Sequence, residues 1–430
     1  MPNNMPEGDD MELNDLTLVS IDDHVIEPPD LFEKHVPEKY RDQAPKVIHR
    51  ADGTDVWSFQ GDVVGAPMGL NAVASWPHEE YGWDPCGFAE IRPGAYDIHE
   101  RIRDMNVNGV FQSMCFPTMA GFSARIFLDP PDRDLSLIML KAYNDWHVDE
   151  WCGTYPGRLI ALGVVPLWDP VAAAAEVRRL AANGCRAISF PEAPHVLGLP
   201  SFHSDHWDPM LGAMAECGTV MCLHIGVGTR AITLPEGVPI DHPTFIGPML
   251  CGMMTATDLI WGPTLKKFPA LKVALSEGGI GWMQFFFERA DRHYRIQSPW
   301  TKQDFGGRMP SDVLREQVLA CFISDPAGLR QRHEIGIDRI AWEADYPHSD
   351  GSWPNSPEEL IAELVDTGCT DEEINKITYG NVQRFFDYDP FSIIPKEQAT
   401  VGALRALAAD VDISTTTRAE YRERYELAQA

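Results

Sequence analysis

The sequence predicts an α/β fold, a (β/α)8 barrel of TIM type with a long insertion after its first strand and a helical C-terminal extension. Three observations point there. Short apolar runs alternate with longer segments of helical periodicity, the signature of parallel βαβ units. Eight such runs can be counted, the number of strands that closes a small barrel. The 430 residues exceed the roughly 250 of a typical barrel, yet barrels pass 400 by growing their loops, so one elaborated barrel suffices.

The predicted strands cover residues 16–22, 109–117, 159–167, 185–192, 219–226, 272–279, 320–328 and 339–348. Helices separate them. In 169–184, Asp169 can cap, Pro170 suits the first turn and Gly184 stops the helix, and a second clear case covers 357–368. Two segments exceed the minimal repeat, 28–95 after the first strand and 227–258 after the fifth. The first holds Trp57, Phe59, Trp76, Tyr81, Trp83 and Phe88. Loops after barrel strands emerge at the catalytic face, so 28–95 is a candidate substrate lid, unless these aromatics pack a small core of the insertion's own. Residues 1–15 carry few apolar side chains and read as a disordered leader. The barrel then spans 16–395, and 396–430 form one or two polar-faced helices on its outside or at the contact of a homodimer.

Composition removes several classes of function. With 35 basic against 64 acidic residues the net charge is -29, which repels nucleic acid and anionic membranes. No stretch approaches the roughly 18 consecutive apolar residues of a membrane helix. The start MPNNMPEGDD is polar and acidic rather than basic and then apolar, so a cytoplasmic location is expected. Nine scattered cysteines without a CxxC pair suggest reduced, packed thiols.

Barrel enzymes gather reactive groups at the C-terminal ends of different strands. Here strand one ends in Asp22-Asp23-His24, strand four in Glu192, strand five in His224, strand six in Glu277, and strand eight in Glu343-Ala344-Asp345-Tyr346-Pro347-His348. Alternation along a strand aims Asp22 and His24 at one side and Asp23 at the other. Imidazoles and carboxylates at one end of five strands are costly to bury unless paired or metal-bound, and a metal site is the simplest joint account. Singly, each has a duller role as a cap or a hydrogen-bonded loop residue.

These motifs, with 202–209 (FHSDHWDP) and 379–386 (YGNVQRFF), resemble the amidohydrolase-related family of the amidohydrolase superfamily, which includes aminocarboxymuconate-semialdehyde decarboxylase and hydroxybenzoate-type decarboxylases. The resemblance spans about residues 16–390. It implies Asp22, His24, His224 and Asp345 as metal ligands. The chain departs from the superfamily's usual pattern in having Asp22 where a histidine is common and Glu277 where many relatives carry one. Carboxylates harden the site toward Mn, Fe or Mg while permitting Zn. Glu277 and Glu192 are further candidate ligands, and Glu192, at the bridging position of two-metal relatives, allows one ion or two. Glu27 reads as a loop carboxylate or an extra ligand.

A divalent ion here would activate water and polarise a carbonyl, so the first expectation is a hydrolase of amides, esters, thioesters or lactones. In that scheme Asp345 accepts the proton of water and His348 donates to the leaving group. The alternative is non-oxidative decarboxylation of an aromatic or enoic carboxylate, in which Arg92, Arg125 or Arg230 could hold the carboxylate. A non-catalytic binding barrel is the third reading. His195 and His203 are weaker candidates in polar loops. The aromatic insertion and Trp282, a candidate substrate-binding residue, suggest a small-molecule substrate with an apolar or aromatic portion.

Overall fold

The computed structural model describes residues 11–64, 71–82, 86–226 and 241–429. The barrel strands are β1 (Leu18–Val25), β2 (Val110–Pro117), β3 (Leu162–Gly163), β4 (Ala187–Pro191), β5 (Val220–His224), β6 (Lys272–Ser276), β7 (Val318–Phe322) and β8 (Ile340–Trp342). Parallel ladders join β1 to β2, and β3 to β8 in succession. A bridge from Ser113 to Leu159 links β2 to the segment entering β3. The ring closes between β8 and β1, where Asp345 N–H donates to the Asp22 carbonyl at 2.9 Å and His24 N–H to the Tyr346 carbonyl at 2.7 Å. Ala344 N–H adds a bond to the Ser20 hydroxyl at 2.8 Å.

Val19, Ile21, Phe111, Met114, Ala274 and Leu319 pack inside the barrel in a buried cluster that also takes in Val382, Phe385 and Phe386 of the helix Asn381–Phe386. Apolar residues on the opposite strand faces pack with the outer helices. These include α1 (Ile98–Asn108), α2 (Arg133–Trp146) and α3 (Pro170–Ala182). Asp169 caps α3 by accepting from Val171 and Ala172 N–H.

Strands β3 and β8 fall furthest short of the sequence prediction. Past Gly163 the ladder stops because the buried Asn144 side chain takes its place, accepting from Val164 N–H and donating to the Val164 carbonyl, both at 2.9 Å. Past Trp342 the chain leaves the sheet to make the bonds that close the ring, and Asp345 adopts a left-handed conformation, φ 53°.

Between β1 and α1 lies an antiparallel sheet of Lys46–His49, Asp55–Phe59 and Asp62–Val64. Its aromatics are core residues. Trp57 meets Phe32 edge-on, Phe59 meets Phe127, Phe88 meets Tyr96, and the Trp76 indole donates to the Glu90 carbonyl. Trp83 lies outside the described residues, as do Arg230 and residues 227–240 of the second long segment; from Asp241 that segment is helical, to Trp261. Of the expected leader, 1–10 also lie outside. Residues 11–15 correct it: Leu13–Asp15 form a 3-10 turn and Met11 packs on the core, since these side chains find apolar partners across the chain. Past Pro395 come the helices Val401–Ala406 and Arg418–Gln429, and Arg418 pairs with Glu90 of the insertion at 3.0 Å. No cysteine forms a disulfide. No described helix is long and apolar enough to cross a membrane.

Asn144→Ala strands the buried N–H and carbonyl of Val164, so urea denaturation should show a loss of about 2–4 kcal/mol. An unchanged midpoint would mean that β3 needs no such stand-in.

Candidate metal centre

The first donors come from a bulge in β1. Regular alternation from the inward-facing Val19 and Ile21 would send Asp23 to the axis. Instead, Ser20 pairs with Ser113 and Asp23 with Cys115, so Ile21 and Asp22 together oppose Met114. The extra residue turns Asp22 and His24 inward and Asp23 outward. There Asp23 accepts from the Ser113 hydroxyl and, at 3.0 Å, from Tyr346 N–H. The buried Arg101 of α1 donates to the carbonyls of His24 and Gly94 and lies over the Tyr346 ring, 4.3 Å from its centre. The Tyr346 hydroxyl donates to Asp104 at 2.6 Å. Both sides of the closing seam are therefore fixed by a buried charged network.

Inside that seam the donor atoms converge. His24 Nε2 lies 3.2 Å from Asp345 Oδ1, 3.3 Å from His224 Nε2 and 3.5 Å from Asp22 Oδ1. His224 Nε2 lies 3.5 Å from Asp22 Oδ2 and 3.1 Å from Glu277 Oε2. The other His224 nitrogen, Nδ1, donates to the Ile225 carbonyl, which leaves the Nε2 lone pair facing the cluster. His348 stacks on His24 with ring centres 3.8 Å apart, and its Nδ1 is 2.9 Å from Asp345 Oδ1.

The set fits a divalent ion. Asp22 is fully buried and neither of its oxygens accepts a hydrogen bond from the described residues, a costly state for a carboxylate unless a cation or proton compensates it. Ligands held about 2.0–2.2 Å from one ion lie roughly 3.0–3.6 Å from each other, the spacing found around His24 Nε2. Two groups of close donors share that histidine: Asp22, His24 and His224, and His24, Asp345 and His348.

Electrostatics agree. Burial pushes the Asp22 carboxyl well up, and Glu343, Glu277 and Asp345 add to it. Burial likewise raises Glu277, with Asp345 and Glu343 contributing, and lifts Glu343 to about 8. Burial lowers His24 far below its ordinary value and brings His224 to about 4, so both imidazoles are neutral at pH 7, the form that ligates metals. Asp345 goes the other way. Burial would raise it, but His348 and His24 together hold it well below the usual carboxylate range.

Not every predicted residue joins the cluster. Glu192, buried just past Pro191, belongs to neither donor group. Glu277 approaches His224. Glu27 accepts from Thr118 N–H at 3.1 Å, Met119 N–H at 2.6 Å and the Tyr143 hydroxyl at 3.2 Å. The Trp282 indole donates to the carbonyls of Gly278 and Gly279, which occupies the donor it would offer a substrate. Arg92 is held bidentately by Asp104, Arg125 is exposed beside Asp129, and His203 is exposed beside Asp258. His195 sits in the turn Pro194–Leu197. The sequence motif contains Glu343 but gives it no role, although it stands two residues before Asp345. Sequence reasoning also passed over Phe116 and Phe122, whose rings lie 4.8 and 4.4 Å from that of His224. Phe122 follows β2 in a loop that no motif marks.

Raised carboxyls bind more protons folded than unfolded, so the metal-free protein loses stability as pH rises from about 4.5 to about 8. The buried imidazoles oppose this only below about 6.5. A thermal melt of metal-free protein should therefore fall between about pH 7 and about pH 8. Over the same interval Mn(II) affinity, followed by titration calorimetry, should rise about tenfold per pH unit for each proton displaced. A pH-independent affinity would contradict this charge assignment.

The sequence profile of the amidohydrolase family matches residues 76–388. Gamma-resorcylate decarboxylase of Rhizobium sp. (strain MTP-10005) is 22% identical over 347 residues, covering 71% of this chain and 94% of that protein. An amidohydrolase from Mycobacterium avium subsp. paratuberculosis K-10 superposes with a TM-score of 0.65 at 21% identity, covering 86% of this chain and 99% of its own. The 5-carboxyvanillate decarboxylase of Novosphingobium aromaticivorans DSM 12444, complexed with manganese and 4-hydroxy-3-methoxy-5-nitrobenzoic acid, gives 0.58 at 18% identity, covering 90% and 100%. The two decarboxylases among these relatives correct the expectation of a hydrolase, because the reaction each is named for is a decarboxylation. Hard ligands select the ion and leave the reaction open, and manganese is the ion in the decarboxylase structure. With a matching profile across most of its length and a TM-score of 0.65 to a solved amidohydrolase, this chain belongs to the amidohydrolase family and is an enzyme of the TIM-barrel type.

Proposed function

We propose that the protein is a divalent-metal-dependent, non-oxidative decarboxylase of an aromatic carboxylate. The observation that carries this reading is the buried Asp22 carboxylate, without a hydrogen bond, beside two neutral imidazoles and the ionised Asp345 at the barrel's C-terminal end. The decarboxylases named among its relatives support this choice of reaction.

Asp22, His24, His224 and Asp345 would hold one ion, of manganese, iron or zinc. Glu192 joins neither donor group, and Glu277, 3.1 Å from His224 Nε2, serves as a proton donor rather than a ligand. A bound ion would supply Lewis acidity that stabilises negative charge developing on the substrate.

The rest falls to the chain's own side chains. His348 is oriented by Asp345 and by its stack on His24, and its buried Nε2 has no partner among the described residues, so it can meet a substrate hydroxyl. Glu277 retains 17% side-chain exposure, and burial together with Asp345 and Glu343 raises its pKa, which favours the protonated form. As the bond between ring carbon and carboxylate breaks, its electron pair stays on the ring carbon. Glu277 gives that carbon a proton, carbon dioxide leaves, and solvent reprotonates Glu277. Glu343, more deeply buried and accepting from Glu277 N–H at 3.2 Å, positions that carboxyl. Residues 28–95 serve as the lid, since Val73 and Ala74 N–H both donate to the Pro347 carbonyl, next to His348.

Manganese-loaded protein given a panel of 2-hydroxybenzoates should release one carbon dioxide for each arene formed, read by trapping labelled gas. Glu277→Gln should lower kcat about 10²–10⁴-fold with manganese retained. Lactone or ester cleavage without gas release would overturn the reading.

A further inference from the structure

The loop after β2 carries an unusual run of backbone conformations. Gly121, Phe122 and Ala124 all have positive φ, at 69°, 45° and 69°. Phenylalanine and alanine are strained there, and such strain persists only where surrounding contacts over-determine it. The contacts are present. Glu27, buried at the end of the first barrel segment, accepts from the N–H groups of Thr118 and Met119, and the Tyr143 hydroxyl of α2 completes its shell. From the other side, the Ser189 hydroxyl of β4 donates to the Phe122 carbonyl. A buried carboxylate is an expensive way to hold a loop that does nothing but connect β2 to α2.

What the clamp holds in place is the Phe122 ring. It lies 5.0 Å from the centre of His24 and 4.4 Å from that of His224, tilted against both. Phe116 also packs on these imidazoles but is wholly buried, whereas Phe122 keeps part of its surface open. It is an apolar face at the edge of the donor cluster.

We infer that Phe122 is a specificity-determining residue that selects an aromatic ring on the substrate, and that Glu27 is a positioning residue that acts through it. The inference rests on the decarboxylase reading and assigns its substrate preference to one side chain. Because Glu27 works only through the loop, its loss should add nothing once the Phe122 ring is gone.

The test is binding, by calorimetry on manganese-loaded protein, of two ligands that offer a carboxylate beside a hydroxyl: salicylate, which has a ring, and glycolate, which lacks one. Phe122→Ala should weaken salicylate about tenfold, the worth of a ring contact, and leave glycolate and manganese content unchanged. Phe122→Leu, which keeps the loop apolar, should give a smaller loss with the same split. Glu27→Gln should also weaken salicylate selectively, Glu27→Asp should restore part of the loss, and Phe122→Ala/Glu27→Gln should equal Phe122→Ala alone. Equal losses for both ligands, or additive effects in the double variant, would overturn the inference. Salicylate binding that no Phe122 substitution alters overturns it alone, whereas a wild type that takes manganese and glycolate but no salicylate overturns the decarboxylase reading as well.

Discussion

Two backbone hydrogen bonds close the barrel, Asp345 N–H to the Asp22 carbonyl and His24 N–H to the Tyr346 carbonyl, and the chemistry of the site depends on them. They join the first and last strands at the residues whose side chains turn inward as donors. Ring closure and site assembly are thus one event. Asp23, Arg101, Asp104 and Tyr346 support the seam from outside with a network of buried charges. Such networks rigidify when fully satisfied and are costly when broken. Substitutions in this network should disturb the site without touching a ligand.

The seam also explains the crowding of negative charge. Asp22, Glu277, Glu343 and Asp345 meet in a largely buried space, with His24 and His224 held neutral. Left to themselves these carboxyls relieve their repulsion by taking up protons. Asp345, between His24 and His348, is the exception. A divalent cation relieves the same repulsion by displacing protons, so ion binding and protonation compete for the same oxygens.

Much of this was legible in the sequence, and the failures are instructive. Eight apolar runs gave the barrel, because burial of both strand faces leaves a strong pattern. Asp22 and His24 were found together by period-two alternation, yet that argument holds only from Asp22 onward; the bulge that makes it true is a register shift against β2 and has no local signal. The ends of strands three and eight were overestimated because Asn144 and the ring-closing bonds replace ladder partners, and both are long-range. The insertion's aromatics suggested a substrate wall, but Trp57, Phe59, Trp76 and Phe88 are its buried core. The ring that does face the imidazoles, Phe122, belongs to a loop whose conformation is set by Glu27 and Ser189, distant in sequence. The choice between hydrolysis and decarboxylation was never in the ligands, since one donor set can serve both.

The central claim is that closure of the barrel converges Asp22, His24, His224 and Asp345 on one divalent ion. Crystals grown with manganese and measured at its absorption edge test this most directly. The account predicts a single anomalous peak within about 2.0–2.3 Å of one atom from each of the four side chains. A peak that excludes Asp22, a second peak bridged by Glu192, or an absence of manganese with the Asp22 oxygens bonded instead to protein groups would contradict it.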